Sequence, residues 1–436
     1  ILRCLVGSEM CIRDRVRTLG SGANGIGYYM YHGGSTPKQN NGVGFFSDDG
    51  MGMPKISYDY QAPIGEFGLV RDSYQNLRIL HTFLKDFGSI LAPMETVLPE
   101  GYEKITPDNR ETLRYAARMK EDAGFIFMTN FQDHDTARFD QTDLQLKLKL
   151  KKQTLIIPSS KTFTLKKDQS VILPFNLSME GALLKYSTTQ LLAKVEEKNA
   201  VHYFFFAPEG LRTEYSFDKS TLSSGKEFYT PKPGLKSTFS ITVKNGKTLK
   251  ITTLTRQQAL NTTKVNNHIL ITEATVLPEK EQCTLLSLGK TQISYALYTA
   301  NKGWKEETIE VQPVDVKADW KKVGTRRMTV KIDQPDVPQV NDYFLRVNYV
   351  ADVAMAFIGG YLVLDHYYYG IPWTIGLRRF KNELKNEYLS FYFRPLRKDA
   401  PFIGDLPVEA IPDFSQKDAD CLVRSVDVIP EYKAIV

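Results

Sequence analysis

Between residues 101 and 300 the sequence keeps returning to a period of two. Leu144-Gln145-Leu146-Lys147-Leu148-Lys149-Leu150 alternates without a break. In an extended chain this puts every leucine on one face and every polar residue on the other; a helix would scatter them. Shorter apolar runs surround it: Phe125-Ile126-Phe127-Met128, Val171-Ile172-Leu173-Pro174-Phe175 and Tyr203-Phe204-Phe205-Phe206. Asn245-Gly246 stands between two alternating runs, residues 238–243 and 249–254, and is a hairpin signal. Short strands at regular spacing with turn residues between them indicate β-sandwiches. Residues 255–261 read as a short helix in a connection.

A second group of strands follows residue 301. It comprises residues 343–349, 353–358, 361–365, 373–377 and 389–393, with Gly359-Gly360 as the turn of its middle hairpin.

The start of the chain is built differently. An aromatic run, Ile26, Tyr28, Tyr29, Met30 and Tyr31, ends in His32-Gly33-Gly34. A loop rich in Gly and Asn leads to Ser57-Tyr58-Asp59-Tyr60-Gln61-Ala62-Pro63. Asp72 or Ser73 is placed to cap a helix, and Leu77, Leu80, Leu84 and Phe87 give it one apolar stripe. Gly88 suits its C-terminal end, and residues 91–100, with Pro93 and Pro99, read as a linker. A buried strand, a long loop and a helix form one βα unit, and in α/β barrels the loop after such a strand builds the active site. Tyrosines around that loop suit a sugar, because each offers an apolar ring face and a hydroxyl.

Two segments here resemble glycoside hydrolase family 35, the retaining β-galactosidases. Tyr29-Met30-Tyr31-His32-Gly33-Gly34 is similar to one segment of the family's last barrel unit. Tyr58-Asp59-Tyr60-Gln61-Ala62-Pro63 is similar to its YDYDAP segment, with Gln61 in place of the last Asp. Thr36-Pro37 replaces the family's Asn-Phe. The resemblance implies that Tyr29, Tyr58 and Tyr60 line a galactose subsite. It implies hydrolysis of terminal β-galactosides without a cofactor, and a periplasmic or secreted location. The segment GFIFMTNFQDHD and the later strands resemble the β-domains of bacterial members. The expected fold class is therefore mainly β: the last βα unit of a (β/α)8 barrel, then β-sandwich and jelly-roll domains. The expected divisions are a leader (1–15), a barrel remnant (16–97), a β-sandwich region (98–300) and a galactose-binding-like jelly roll (301–436). A lone βα unit is expected to be weakly held and cleavable before about Gly101.

The family's acid/base and nucleophile are two glutamates in motifs that nothing before Gly25 matches. No catalytic residue is therefore assigned here, and the expectation is a C-terminal portion of an enzyme whose glutamates lie upstream. Residues 1–15 lack the apolar run and small-residue cleavage site of a secretory signal and resemble a spurious leader on metagenomic reads.

Other features have plainer readings. Asp48-Asp49 reads as a turn, and Asp59 and Glu66 match neither catalytic motif. His32 reads as a hydrogen-bonded rim residue, with no partner at catalytic spacing. Trp304, Trp320 and Trp373 are expected in cores; Trp373 beside Tyr367-Tyr368-Tyr369 is the candidate accessory sugar surface. The net charge of +6 is modest, and the lysines alternate along strands instead of forming a nucleic-acid stripe. No apolar run is long enough to cross a bilayer. Four scattered cysteines make neither a disulfide framework nor a zinc site, and no metal is expected; Cys283 and Cys421 are read as buried thiols. A non-catalytic carbohydrate-binding or structural β-protein is the alternative, and a hydrolase for another β-linked sugar is a third reading.

Overall fold

The computed structural model describes residues 15–37, 54–131, 139–151 and 153–436. Nearly all of residues 1–15, including Cys4 and Cys11, lie outside the described residues, as do Asp48 and Asp49.

The chain is mainly β, and its sheets stack in layers. A seven-stranded antiparallel sheet faces a five-stranded one. Between them lies a core that includes Phe125, Phe127, Ile172, Tyr203, Phe205 and Ile251. The apolar runs are continuous because both faces of these sheets are covered. In Ala123–Thr129, Phe125 and Phe127 enter this core while Ile126 and Met128 enter a second one. That second core is closed by Leu146, Leu155 and Phe163 from two small two-stranded sheets. In Ala200–Phe206, Phe204 and Phe206 pack instead towards a four-stranded sheet, against Ile269, Ala296 and Tyr298. The alternating 144–150 stretch is split: Gln141–Leu144 and Leu146–Lys149 pair with different partners.

The hairpin at Asn245-Gly246 forms as expected, joining Phe239–Val243 to Thr248–Leu254. Gly359 and Gly360 turn the Val353–Ile358 and Tyr361–Tyr367 hairpin with φ of 55° and 83°, a conformation open to glycine. Arg256–Leu260 is helical, with Thr255 and Gln258 forming a reciprocal capping box. The C-terminal part is a sandwich of two five-stranded sheets about one core. Its strand membership does not respect a division at residue 300, because Thr275–Pro278 and Cys283–Leu288 belong to the same sheet as Leu422–Ile435.

The first segment departs from expectation in four ways. Residues 26–31 join no ladder; pairing begins at His32, which bridges Ile64 in parallel. A barrel strand needs neighbours along both edges, whereas among the described residues this run's backbone meets only Ile64, whose N–H bonds to the Tyr31 carbonyl at 3.0 Å. The helix spans Asp72–Leu91, with Arg71 rather than Asp72 or Ser73 at its N-cap, and it runs through Gly88. The Gly88 carbonyl accepts the Ala92 N–H at 2.8 Å, and the Arg118 guanidinium donates to the carbonyls of Leu91 and Ala92 where the helix ends. Residues 91–100 are not a free linker, since Glu95–Val97 pairs with Ala117–Met119 at the edge of the large sheet. Finally, the helix is not a detached remnant. Leu80, Phe83, Phe87 and Leu91 are buried in the core of the first sandwich, together with Val16 and Leu19. Burying each large apolar side chain contributes about 1.5–3 kcal/mol, so this face holds the helix firmly.

Candidate functional site

The site begins with the Asp59 side chain. Its Oδ1 accepts the Glu66 N–H at 2.6 Å and its Oδ2 accepts the Gln61 N–H at 3.2 Å. Arg71 Nη2 ion-pairs with Oδ2 at 2.5 Å while Nη1 donates to the Ala62 carbonyl. These bonds hold a tight turn in which Tyr60 and Gln61 both have positive φ, 43° and 54°. Two successive non-glycine residues in the left-handed region are costly, and the surrounding bonds must over-determine the turn. Gly33 is required beside it: a Cβ there would lie 2.9 Å from Asp59 Oδ1 and 3.0 Å from the Glu66 nitrogen.

Gly34–Ser35 pairs with Ser57–Tyr58 in a short antiparallel ladder. Both serines donate to the buried Glu66 carboxylate, Ser57 at 2.9 Å. Arg379, from the C-terminal part, lies 3.5 Å from the same carboxylate. Burial raises the Glu66 pKa, and the two serines and Arg379 oppose that rise.

This frame brings the three tyrosines together. Tyr29 and Tyr58 have their hydroxyls 3.0 Å apart. The Tyr58 and Tyr60 rings meet edge to face, with centroids 4.8 Å apart. Tyr29 is 87% exposed, so the cluster opens to solvent. The hydrogen bond from Tyr29 raises the Tyr58 pKa, and burial raises that of Tyr60; both are neutral phenols at physiological pH, able to donate and accept. Behind them Tyr28 and Tyr31 pack edge to face, and Tyr28 shares a hydrogen bond of 2.8 Å with His81 on the helix. His32 is exposed and bonds its neighbour's carbonyl at Gly33.

A third contribution was not legible locally. Asp365, in the Tyr361–Tyr367 strand, is fully buried. Its carboxylate accepts the backbone N–H groups of Lys55, Ile56 and Ser57, the last at 2.7 Å. Tyr367, two residues on and therefore on the same strand face, is 37% exposed. The sequence signal was a charged residue in an otherwise apolar strand, Leu362-Val363-Leu364-Asp365.

Of the Trp373 and Tyr367-Tyr368-Tyr369 cluster, Tyr367 is exposed while Trp373 and Tyr368 are buried, as the core reading expects. Trp373 is 3% exposed in the C-terminal core, stacked on His366, and Tyr368 is buried and bonded to the Ala410 carbonyl. Trp304 packs against Phe204 and Tyr298. Cys283 is buried, while Cys421 is only partly so; both are free thiols. No helix among the described residues is long and apolar enough to cross a membrane.

Residues 8–84 match glycosyl hydrolases family 35, and residues 100–275 match domain 2 of beta-galactosidases. Beta-galactosidase 6 of Oryza sativa subsp. japonica is 28% identical over 120 residues, which cover 27% of this chain and 13% of that protein. A GH31 alpha-xylosidase from Xanthomonas citri aligns over 76% of this chain and 37% of its own, at 10% identity and a TM-score of 0.11.

Proposed function

The chain belongs to glycosyl hydrolases family 35, and from that premise we propose that Tyr29, Tyr58 and Tyr60 form one wall of a galactose subsite in a retaining β-galactosidase. The observation that carries the reading is the exposed Tyr29–Tyr58 hydroxyl pair with Tyr60 edge-on beside it. Paired phenols offer a pyranose both donors and acceptors, and a ring face lies next to them. The partner is a terminal β-galactoside.

Retaining hydrolysis needs two carboxyl groups about 5–5.5 Å apart across the scissile bond, one as nucleophile and one as acid/base. The three carboxylates that hold this loop, Asp59, Glu66 and Asp365, are each engaged by backbone, serine or arginine donors. We propose that they are structural and that residues 15–436 supply recognition without chemistry. The purified chain should show no turnover of an aryl β-galactoside, because the catalytic carboxyls act as a unit and we assign neither to this chain. Turnover at a rate above that of buffer would sink this assignment.

Recognition is tested by saturation-transfer NMR with methyl β-galactoside. Tyr60→Phe removes one hydroxyl and keeps the ring. A lost neutral hydrogen bond costs about 0.5–1.5 kcal/mol, which weakens binding by up to about tenfold. Tyr58→Ala should cost more, since it removes the partner of Tyr29 and a ring as well. Tyr203→Phe, in the core of the first sandwich, serves as the control. If both site variants bind like the unaltered chain, the tyrosines are packing residues and the subsite lies elsewhere.

A further inference from the structure

We propose that Asp365 is a positioning residue for the tyrosine cluster, so that the C-terminal sandwich sets the geometry of a site encoded some three hundred residues earlier. One carboxylate gathers three consecutive backbone donors. The N–H of Ile56 lies 3.2 Å from Oδ1 and 3.1 Å from Oδ2, the N–H of Ser57 lies 2.7 Å from Oδ1, and the N–H of Lys55 reaches Oδ2. Successive N–H groups can point at one anion only in a narrow range of backbone conformations, so the anion selects the conformation. The next residue in the chain is Tyr58.

The bonds cannot be exchanged for water without rearrangement. Asp365 is fully buried, and Ile56 and Ser57 are 7% exposed. Removing the acceptor leaves buried donors unpaired, and the loop has to move to satisfy them. Moving it displaces the Gly34–Ser35 and Ser57–Tyr58 ladder, and with it the hydroxyl that meets Tyr29. Arg379 works beside Asp365 from the same sandwich, near Glu66 and stacked over Phe67 with its guanidinium carbon 4.7 Å from the ring centroid. Asp365 touches no sugar in this scheme; it acts through the backbone of residues 55–57. Its consequence for recognition rests on the sugar-facing reading of the tyrosines, whereas the positioning itself does not.

The experiment uses the whole chain labelled with 3-fluorotyrosine, its 19F signals assigned through Tyr29→Phe, Tyr58→Phe and Tyr60→Phe. Asp365→Asn keeps the shape but turns one acceptor into a donor facing the backbone N–H groups. It should move the signals of Tyr29, Tyr58 and Tyr60 and leave in place those of Tyr215, in the first sandwich, and Tyr298, in the four-stranded sheet. Asp365→Ala should do the same, and added formate, a free carboxylate, should return the three signals towards their original positions where chloride does not. Galactoside binding should fall several-fold in both variants. Unmoved signals for Tyr58 and Tyr60 in both variants would overturn the proposal. If a variant also loses the Tyr215 and Tyr298 signals, amide exchange in the unaltered chain decides: strong protection at Ile56 and Ser57 supports the clamp, and exchange at the rate of a free peptide refutes it. Should the three signals move while no galactoside binds even the unaltered chain, the clamp stands and the sugar reading fails.

Discussion

Arg118→Ala is expected to cost roughly 4 kcal/mol or more, enough to remove much of the ~5–15 kcal/mol by which folded domains typically exceed their unfolded states. Arg118 has no exposed surface. Its guanidinium donates to the carbonyls of Leu19 (3.3 Å), Ala23 (3.2 Å), Leu91 (3.0 Å), Ala92 (3.2 Å) and Met94 (2.8 Å), and to Asn24 Oδ1 at 2.9 Å. Three of these carbonyls belong to the end of the Asp72–Leu91 helix and the residues after it. The last turn of a helix leaves carbonyls without intrahelical partners, and a cation there is favoured by the helix dipole as well. Leu19, Leu91 and Ala92 keep a second donor in the Gly22 N–H, the Met94 N–H and Asn24 Nδ2, so the loss falls on the Ala23 and Met94 carbonyls, at about 1–3 kcal/mol for each acceptor left unpaired, and on the packing of the buried side chain. Arg118→Met fills most of the volume but offers no donor, and should be nearly as damaging as alanine. Arg118→Lys keeps the charge with three donors instead of five, in a compact head that cannot span the same carbonyls, and should fall between. Urea unfolding of the three variants measures this. An Arg118→Met midpoint matching the unaltered protein would show that packing, not carbonyl pairing, is the role of this residue.

Phe83→Ala should cost about 3–5 kcal/mol. Phe83 is fully buried, with ring centroids 5.7 Å from Phe87 and 5.4 Å from Phe125. The substitution opens a cavity where helix and large sheet meet, and backbone bonds on both sides resist its collapse. Limited proteolysis adds a spatial readout. In the unaltered chain, residues 72–97 should resist cleavage as long as the first sandwich does. In Phe83→Ala, cleavage should appear near residues 98–101. Early trimming of the unaltered chain to a product beginning near Gly101 would mean that the helix contributes little to the sandwich and that this cavity argument is wrong.

The sequence exposed the parts of this fold that obey a local period. Phe125 to Met128 and Tyr203 to Phe206 read as strands because each residue fills one of two cores. Thr255 and Gln258 announced a helix start through a four-residue motif. Residues 26–31 misled because a run of aromatics looks the same whether it pairs in a sheet or packs its rings on a helix, as Tyr28 and Tyr31 do against His81. Gly88 misled because the local rule for ending a helix cannot see the sandwich core that buries Phe87 and Leu91 on either side of it. At the candidate site, Tyr29, Tyr58 and Tyr60 were legible as a motif, and the structure brings them together. The donors and acceptors that hold them were not: Arg71 is visible only once the turn is closed, and Asp365 and Arg379 arrive through tertiary contact.

In the C-terminal sandwich, Leu422–Ile435 lies in the interior of its sheet, between Cys283–Leu288 and Val340–Val350. The two neighbours are made on the ribosome well before it. At roughly 5–20 residues per second, Cys283–Leu288 waits on the order of ten seconds for its partner. During that interval two strand edges face an empty slot of matching width, and any extended apolar segment nearby can enter it. The nascent chain is therefore most exposed to mispairing while this slot stays open, and slowing synthesis between residues 350 and 422 should lower the soluble yield more than an equal delay before residue 270.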